Sequence, residues 1–442
     1  MMIPVDRNWS LAVVEKLLIV FIVLRPMRAA ILFLVFVCFS NSVSAQDASH
    51  VLLVSFDGFR YDYVQQYHAS NFKAFILKGS GAKGLIPSFP SKTFPNHYTL
   101  VTGLYPGNHG LVDNNFFDPD TQVNFTSKNK KAVIDSAFYG GTPLWKLAQK
   151  NGMKSASYFW VGSEVENEHP DYYYAYNEKV PDSQRVEQVL KWLSLPLGER
   201  PRFIALYFSV TDDNGHQYGP NSDQVRNAVL HADSLLGQLM RGIAKTELPV
   251  NVIIVSDHGM KGIEQRESSY LLLPEIVPAA DESTVIINSG SHVHIYQPDP
   301  NKKKALYTEL KDRAKHFNVL TKDEFPERWH YKAKRVGDIL LTADAGYYFM
   351  DFQRDKLAGF LKPWGWSGVH GYDPRIVPEM NGIFYANGPN IRQGYTLDPF
   401  ENIHVYPLIA RILGLPLPTI DGRKEVLEKV YQSRAQSKAS TR

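Results

Sequence analysis

Three short runs constrain the fold of this chain more than anything else in it. His50 to Phe56, Phe203 to Val210 and Val250 to Ser256 are near-continuous apolar, β-rich stretches, and they run into Asp57, Asp212 and Asp257. A strand that is apolar on both faces leaves no side for water, so it belongs inside a sheet that helices cover on both faces. Polar groups then collect at the carboxyl ends of the strands, where α/β proteins gather their ligands. The expected fold class is α/β, with a central, mostly parallel sheet flanked by helices.

Helical patterning fills the intervals. A helix is expected over 71–78, another over 183–193, and a long one over 223–245, where Val225, Val229, Ala232, Leu235, Leu236 and Leu239 recur on one face. Val405 to Leu413 forms a last helix, stopped by Gly414 with Pro416 and Pro418 behind it. Two stretches break the rhythm, 115–200 and 295–365. Both are expected to be loop-rich, cap-forming excursions over the active face of a catalytic domain spanning 46–425, and 426–442 is expected to be a polar tail.

Ahead of that domain, residues 1–45 have the layout of an export signal. A basic start at Met27-Arg28, an apolar run from Ala29 to Phe39 and small residues at Val43-Ser44-Ala45 predict cleavage after Ala45, with Met27 a possible true start. Neither apolar run reaches the roughly 20 residues that cross a bilayer, so no permanent membrane span is expected after cleavage. The lone cysteine, Cys38, falls inside the signal. An exported enzyme without disulfides reads as periplasmic or secreted, and as bacterial in type. Removing the signal lowers the formal net charge from +3 to +1, and no basic stripe invites a nucleic-acid partner. No protein partner is predicted.

The strand-end residues carry the chemistry. Asp57 stands alone, Asp212 precedes His216 by four residues, Asp257 adjoins His258, and His370 lies in GVHGYD. Carboxylates and imidazoles in separate motifs, several at strand ends, point to metal coordination, and this donor mixture suits Zn²⁺. Six such groups are enough for two ions, which about 4 Å apart can serve both sides of an in-line displacement. The nucleophile candidate is Thr93, followed by Phe94-Pro95 at the expected start of a helix. A threonine there caps a helix in any protein. Beside a metal it can also be activated, attack phosphorus and form a covalent phosphothreonine.

At this point the motifs resemble the nucleotide pyrophosphatase/phosphodiesterase family of the alkaline-phosphatase superfamily. The resemblance runs from about residue 50 to 420 through SFDGFR, KTFPNHYTLVTGLYPGNHG, DDNGHQYGP, SDHGM, HGYDP and FYANGPN. It implies an alkaline-phosphatase-like fold with one zinc on Asp212, His216 and His370. The other zinc would lie on Asp57, Asp257 and His258, with Thr93 as its nucleophilic oxygen. It also implies that Asn114 hydrogen-bonds a phosphate oxygen and that Phe94 and Tyr207 sandwich a nucleobase. The backbone N–H near Thr93 or Phe94 would complete the oxyanion site. The tyrosines of 171–176 are further candidates for the pocket wall.

The expected activity is hydrolysis of nucleotide phosphodiester and pyrophosphate bonds, releasing nucleoside monophosphates from small-molecule substrates. A phosphodiesterase or phospholipase-C-like enzyme acting on lysophospholipid or choline phosphoesters, or a phosphomonoesterase of the same superfamily, is the alternative. The expected type is a bacterial single-domain member.

Overall fold

The computed structural model describes residues 48–277 and 282–434. The expected export signal, the possible start at Met27 and Cys38 lie outside these residues, as does the end of the tail. Among the described residues no helix is long and apolar enough to cross a membrane.

The three apolar runs form adjacent central strands. The main sheet has eight strands in the order Tyr395–Leu397, Ser80–Ala82, Phe384–Asn387, Val250–Val255, His50–Phe56, Phe203–Phe208, Ser155–Tyr158 and Tyr172–Tyr174. The last five pair in parallel, and Phe384–Asn387 joins them antiparallel. This is the expected α/β arrangement, a mostly parallel central sheet with helices on both faces. Alternation along the first strand supplies both. Leu52, Val54 and Phe56 pack towards Val225, Val229, Leu236 and Leu239 of helix Asp223–Ala244. Val51 and Leu53 pack on the other side with Leu100 and Val101 of helix Thr93–Thr102 and with Val405 and Ile409 of helix Val405–Leu413. The first strand is at most 1% exposed from Val51 to Val54, so substitution on either face opens a cavity.

The second run ends earlier than its composition suggests. The strand stops at Phe208, and Ser209 is already in a right-handed helical conformation at the cap of helix Val210–Tyr218. Asp212 and His216 therefore share a helix face at i and i+4, not a loop beyond a strand.

Neither excursion is only a loop. The stretch 115–200 contains Ser155–Tyr158 and Tyr172–Tyr174 of the main sheet and helix Asp182–Leu193. The second region begins upstream of 295, as a four-stranded antiparallel sheet ordered Val285–Asn288, His292–Tyr296, Ile339–Ala343 and Phe317–Thr321. Val293, Ile295, Val319, Ile339 and Leu341 give it a hydrophobic core of its own. The tail boundary also moves. Leu427 and Val430, three residues apart, are buried in the main core, and Tyr431 bridges to Ile391.

Candidate active site

Four chain segments converge at the carboxyl end of the sheet. Asp57 follows the first strand, and Gly58 turns the chain away from it with φ +64°. A side chain at Gly58 would lie 2.9 Å from the Cα of Asp212, so glycine is what lets Asp57 and Asp212 approach. Asp257 and His258 follow strand Val250–Val255, and His370 follows strand Trp366–Val369.

The side chains meet closely. Nε2 of His258 is 3.4 Å from Asp57 Oδ1 and 3.1 Å from Asp257 Oδ2. Nε2 of His216 is 3.4 Å from Asp212 Oδ2 and 3.1 Å from Nε2 of His370. Asp212, His216 and His370 form one candidate metal-binding triad, and Asp57, Asp212 and His258 form another. Asp57 and Asp257 also group with His97, a residue that sequence reading did not single out.

Two observations test whether these residues fit cations. Nδ1 of His216 faces the carbonyl of Gly368, that of His258 the carbonyl of Gly259, and that of His370 the carbonyl of Ser91, each at 2.8 Å. A carbonyl can only accept, so each Nδ1 carries a proton and donates it, and each Nε2 is left with a lone pair. The lone pairs of His216 and His370 then oppose each other across 3.1 Å, an arrangement that a shared cation relieves. The second observation concerns oxygens. Asp57 Oδ1, Asp212 Oδ1 and Asp257 Oδ2 are buried and have no hydrogen-bond partner, which is costly for carboxylates unless a cation pairs them. The donor set fits metal ions.

The electrostatics agree. Burial, followed by repulsion from Asp257 and Asp212, holds the Asp57 carboxyl well above its ordinary range. Burial also pushes Asp257 upwards, but His258 and His97 outweigh it and leave that carboxyl below the usual range. Burial, with His258, Lys92 and His216 beside it, drives His370 well below its ordinary value and keeps its imidazole neutral.

Thr93 is the first residue of helix Thr93–Thr102, with Lys92 as the cap. Its Oγ1 lies 3.3 Å from His258 Nε2, at the positive end of the helix. Asn114 adjoins it, accepting the Phe94 N–H at 2.8 Å through its side-chain oxygen. That N–H is therefore engaged within the chain, contrary to the expectation that it is free for an oxyanion. The amide nitrogen of Asn114 is the donor left for a ligand. A cleft of about 420 Å³ opens here, lined by Lys92, Asn114, Ser289 and Tyr348 with His216 and His370. Lys92 was not singled out in the sequence, and burial lowers its ammonium to about 8.

Tyr207 does not match the expected nucleobase clamp. It is 7% exposed, its ring meets His97 edge to face at 5.1 Å, and its hydroxyl donates to Asp57 Oδ2 at 2.7 Å. Its alternation position on the strand turns it inwards, where it orients a metal-ligand candidate. The half-buried Phe94 keeps part of its surface open. Beyond Tyr207, Tyr176 reaches the surface with its ring 6.2 Å away and 43% exposed.

Comparison with known proteins identifies the family. Residues 51–373 fit the family model described as type I phosphodiesterase / nucleotide pyrophosphatase. The chain is 35% identical over 384 residues to human ectonucleotide pyrophosphatase/phosphodiesterase family member 1, covering 83% of this chain and 40% of the human protein. It is 32% identical over 392 residues to a pyrophosphatase/phosphodiesterase of Schizosaccharomyces pombe, covering 85% of this chain and 79% of that one. The solved structure of murine ectonucleotide pyrophosphatase/phosphodiesterase 5 superposes with a TM-score of 0.79 at 32% identity, over 87% of this chain and all of the other. These relatives overturn the expectation of a bacterial-type single-domain member, since the similarity runs to the animal ectonucleotide branch. The periplasmic placement rested on that expectation and loses its support with it. With the family model, the relatives and the superposed fold in agreement, the chain belongs to the type I phosphodiesterase / nucleotide pyrophosphatase family.

Proposed function

We propose that this protein is an exported hydrolase of nucleotide phosphodiester and pyrophosphate bonds that releases nucleoside monophosphates by in-line attack of Thr93. The observation that carries the reading is the position of the Thr93 hydroxyl, at a helix N-terminus and 3.3 Å from a histidine that belongs to a cluster of unpaired carboxylates and opposed imidazoles. Asp212, His216 and His370 would hold one zinc, and Asp57, Asp257 and His258 the other. When bound, the pair supplies positive charge that lowers the pKa of a hydroxyl or water and screens the phosphate oxygens.

The chain's own groups do the rest. The Thr93 oxygen attacks phosphorus, the leaving oxygen departs opposite to it, and a phosphothreonine remains for water to cleave. The Asn114 amide nitrogen donates to a phosphate oxygen, because its carbonyl is already committed to the Phe94 N–H. Lys92 adds positive charge to the lining of the same cleft. The half-open Phe94 and the exposed Tyr176 offer flat faces for a base. An inactive murine relative, with a threonine replaced by alanine, is known in complex with AMP, which supports a nucleoside monophosphate as product here.

The test is a comparison of kcat/KM across ATP, a dinucleotide, a nitrophenyl nucleotide ester, glycerophosphocholine and a nitrophenyl monoester. Preference for the nucleotide diesters and pyrophosphates is expected. Preference for glycerophosphocholine or the monoester would refute the assignment.

A further inference from the structure

A second buried cluster of ligand-type residues lies outside the two triads. Asp113, His292 and His294 are each 0% exposed and bring donor atoms together as a metal site would. Their hydrogen bonding says otherwise. Asp113 Oδ2 accepts from the Ser289 hydroxyl at 2.5 Å, from His292 Nε2 at 2.7 Å and from His294 Nε2 at 3.2 Å. Its Oδ1 accepts the backbone N–H of Asn114 at 2.6 Å. Nδ1 of His294 accepts the Gly337 N–H, so the His294 proton is on Nε2 and goes to Asp113. Both carboxylate oxygens therefore already have hydrogen-bond partners within the chain. Asp57, Asp212 and Asp257 are different, for each keeps a buried oxygen without a partner. Full satisfaction marks a structural network, and an unpaired oxygen marks a ligand site.

The network's connections indicate what it positions. His292 and His294 are two apart on strand His292–Tyr296 and therefore share a face of the second sheet. Asp113 belongs to the loop that carries Asn114, between helix Pro106–His109 and strand Asn115–Asp118. The second sheet thus grips this loop at the residue before Asn114. We propose that Asp113, anchored by His292 and His294, is a positioning residue that fixes the Asn114 backbone and keeps the Asn114 side chain bridging the Phe94 N–H and the substrate phosphate. The inference rests on the phosphodiesterase reading of Asn114 given above. It gives the second sheet a part in catalysis, because the geometry of a transition-state donor depends on a residue which that sheet holds.

The experiment is a double-mutant cycle in the full, zinc-loaded chain, with a nitrophenyl nucleotide ester as substrate. Asp113→Asn keeps a carbonyl oxygen but cannot accept from all four donors, whereas Asn114→Ala removes the group being positioned. Asp113→Asn should lower kcat about 10- to 100-fold with KM changed less than about 3-fold, and should have less than about 3-fold effect in the Asn114→Ala background. Equal fold-losses in both backgrounds would overturn this inference alone. A kcat unaffected by Asn114→Ala would overturn the phosphate contact and this inference together. A parallel pair decides the matter even if Asp113→Asn does not fold. His292→Gln retains a donor where Nε2 was and should remain within about 3-fold of the parent kcat. His292→Leu removes the donor and should show the Asp113→Asn loss, so identical kcat in the pair refutes the proposal. Zinc content should remain unchanged in all variants, and loss of an ion from Asp113→Asn would make the cluster a metal site instead.

Discussion

Replacing Tyr207 with phenylalanine separates two roles that its position allows. Phenylalanine keeps the ring and its edge-to-face contact with His97, and removes only the hydroxyl that donates to Asp57 Oδ2 at 2.7 Å. Burial, with Asp57 next to it, holds the Tyr207 hydroxyl well above its ordinary pKa, so it is a donor throughout the working pH range. A buried hydrogen bond to a charged group is worth about 1.5–3 kcal/mol. Losing it should cost roughly 10- to 100-fold in zinc affinity, the range typical for removing a group that orients a ligand. The assay is zinc titration of metal-stripped protein against a competing chelator. It is paired with kcat/KM at saturating zinc for a nitrophenyl nucleotide ester and for bis(nitrophenyl) phosphate. Weaker zinc binding and near-parent turnover of both substrates once zinc is saturating are expected. A Tyr207→Phe variant with parental zinc affinity, alongside a Tyr207→Ala variant that loses only nucleotide turnover, would refute the orienting role and reinstate base stacking.

Thr93→Ala should lower turnover by about a thousandfold or more while zinc content stays at the parental level, as measured by single-turnover kinetics and elemental analysis. Residual steady-state turnover near the parental rate would remove Thr93 from the mechanism. Gly58→Ala forces a side chain to within 2.9 Å of the Asp212 Cα at a φ of +64°, so Asp212 must shift. The left-handed conformation alone costs about 1–2 kcal/mol. A lowered Tm together with reduced zinc content is expected, and unchanged values of both would contradict the close approach. Burial holds His109 down to about 3 and His292 to about 4. The unfolded chain protonates these imidazoles near its ordinary pKa of about 6.5, so between there and the folded values it binds more protons than the native state. Stability is therefore complete above about pH 6.5 and is lost as the pH falls towards 4. Urea unfolding should follow that course, with a shallower slope in His109→Gln. An unchanged slope would mean that this imidazole is not buried neutral.

The sequence made the candidate ligands legible because hydrophobicity and polarity change sharply where a buried strand meets the active face. Asp57, Asp257 and His258 were found by that change alone. Asp212 and His216 were found by the same signal, although the strand ends at Phe208 and they belong to a helix. The four-residue spacing is itself what a helix turns into a shared face, so the earlier end of the strand left the pair intact. The base-clamp role of Tyr207 came from the resemblance and not from its strand, whose alternation tells only that a residue faces inwards or outwards. It does not tell that a buried hydroxyl finds a carboxylate 150 positions away. The two-residue spacing of His292 and His294 was a usable signal for a shared strand face. Their partner Asp113 lies 179 and 181 positions away, and no local pattern connects them.

The need for a cation is likewise a property of the assembled site. Histidine and aspartate in separate motifs are compatible with a hydrogen-bonded network, and Asp113 with its two histidines is such a network. The two clusters have the same residue types, although Asp212 and His216 are only part buried. They differ in where the imidazole protons go. In the Asp113 cluster the Nδ1 of His294 accepts a backbone N–H, so its other nitrogen must donate, and the carboxylate receives that proton. In the triads, backbone carbonyls take the Nδ1 protons of His216, His258 and His370, so the Nε2 atoms face the carboxylates as acceptors facing acceptors. Three backbone carbonyls, at Gly368, Gly259 and Ser91, thus convert an ordinary polar cluster into one that needs positive charge. Their placement is fixed by the chain path and not by side-chain identity, which is why composition alone cannot distinguish a metal centre from a structural network of the same residues.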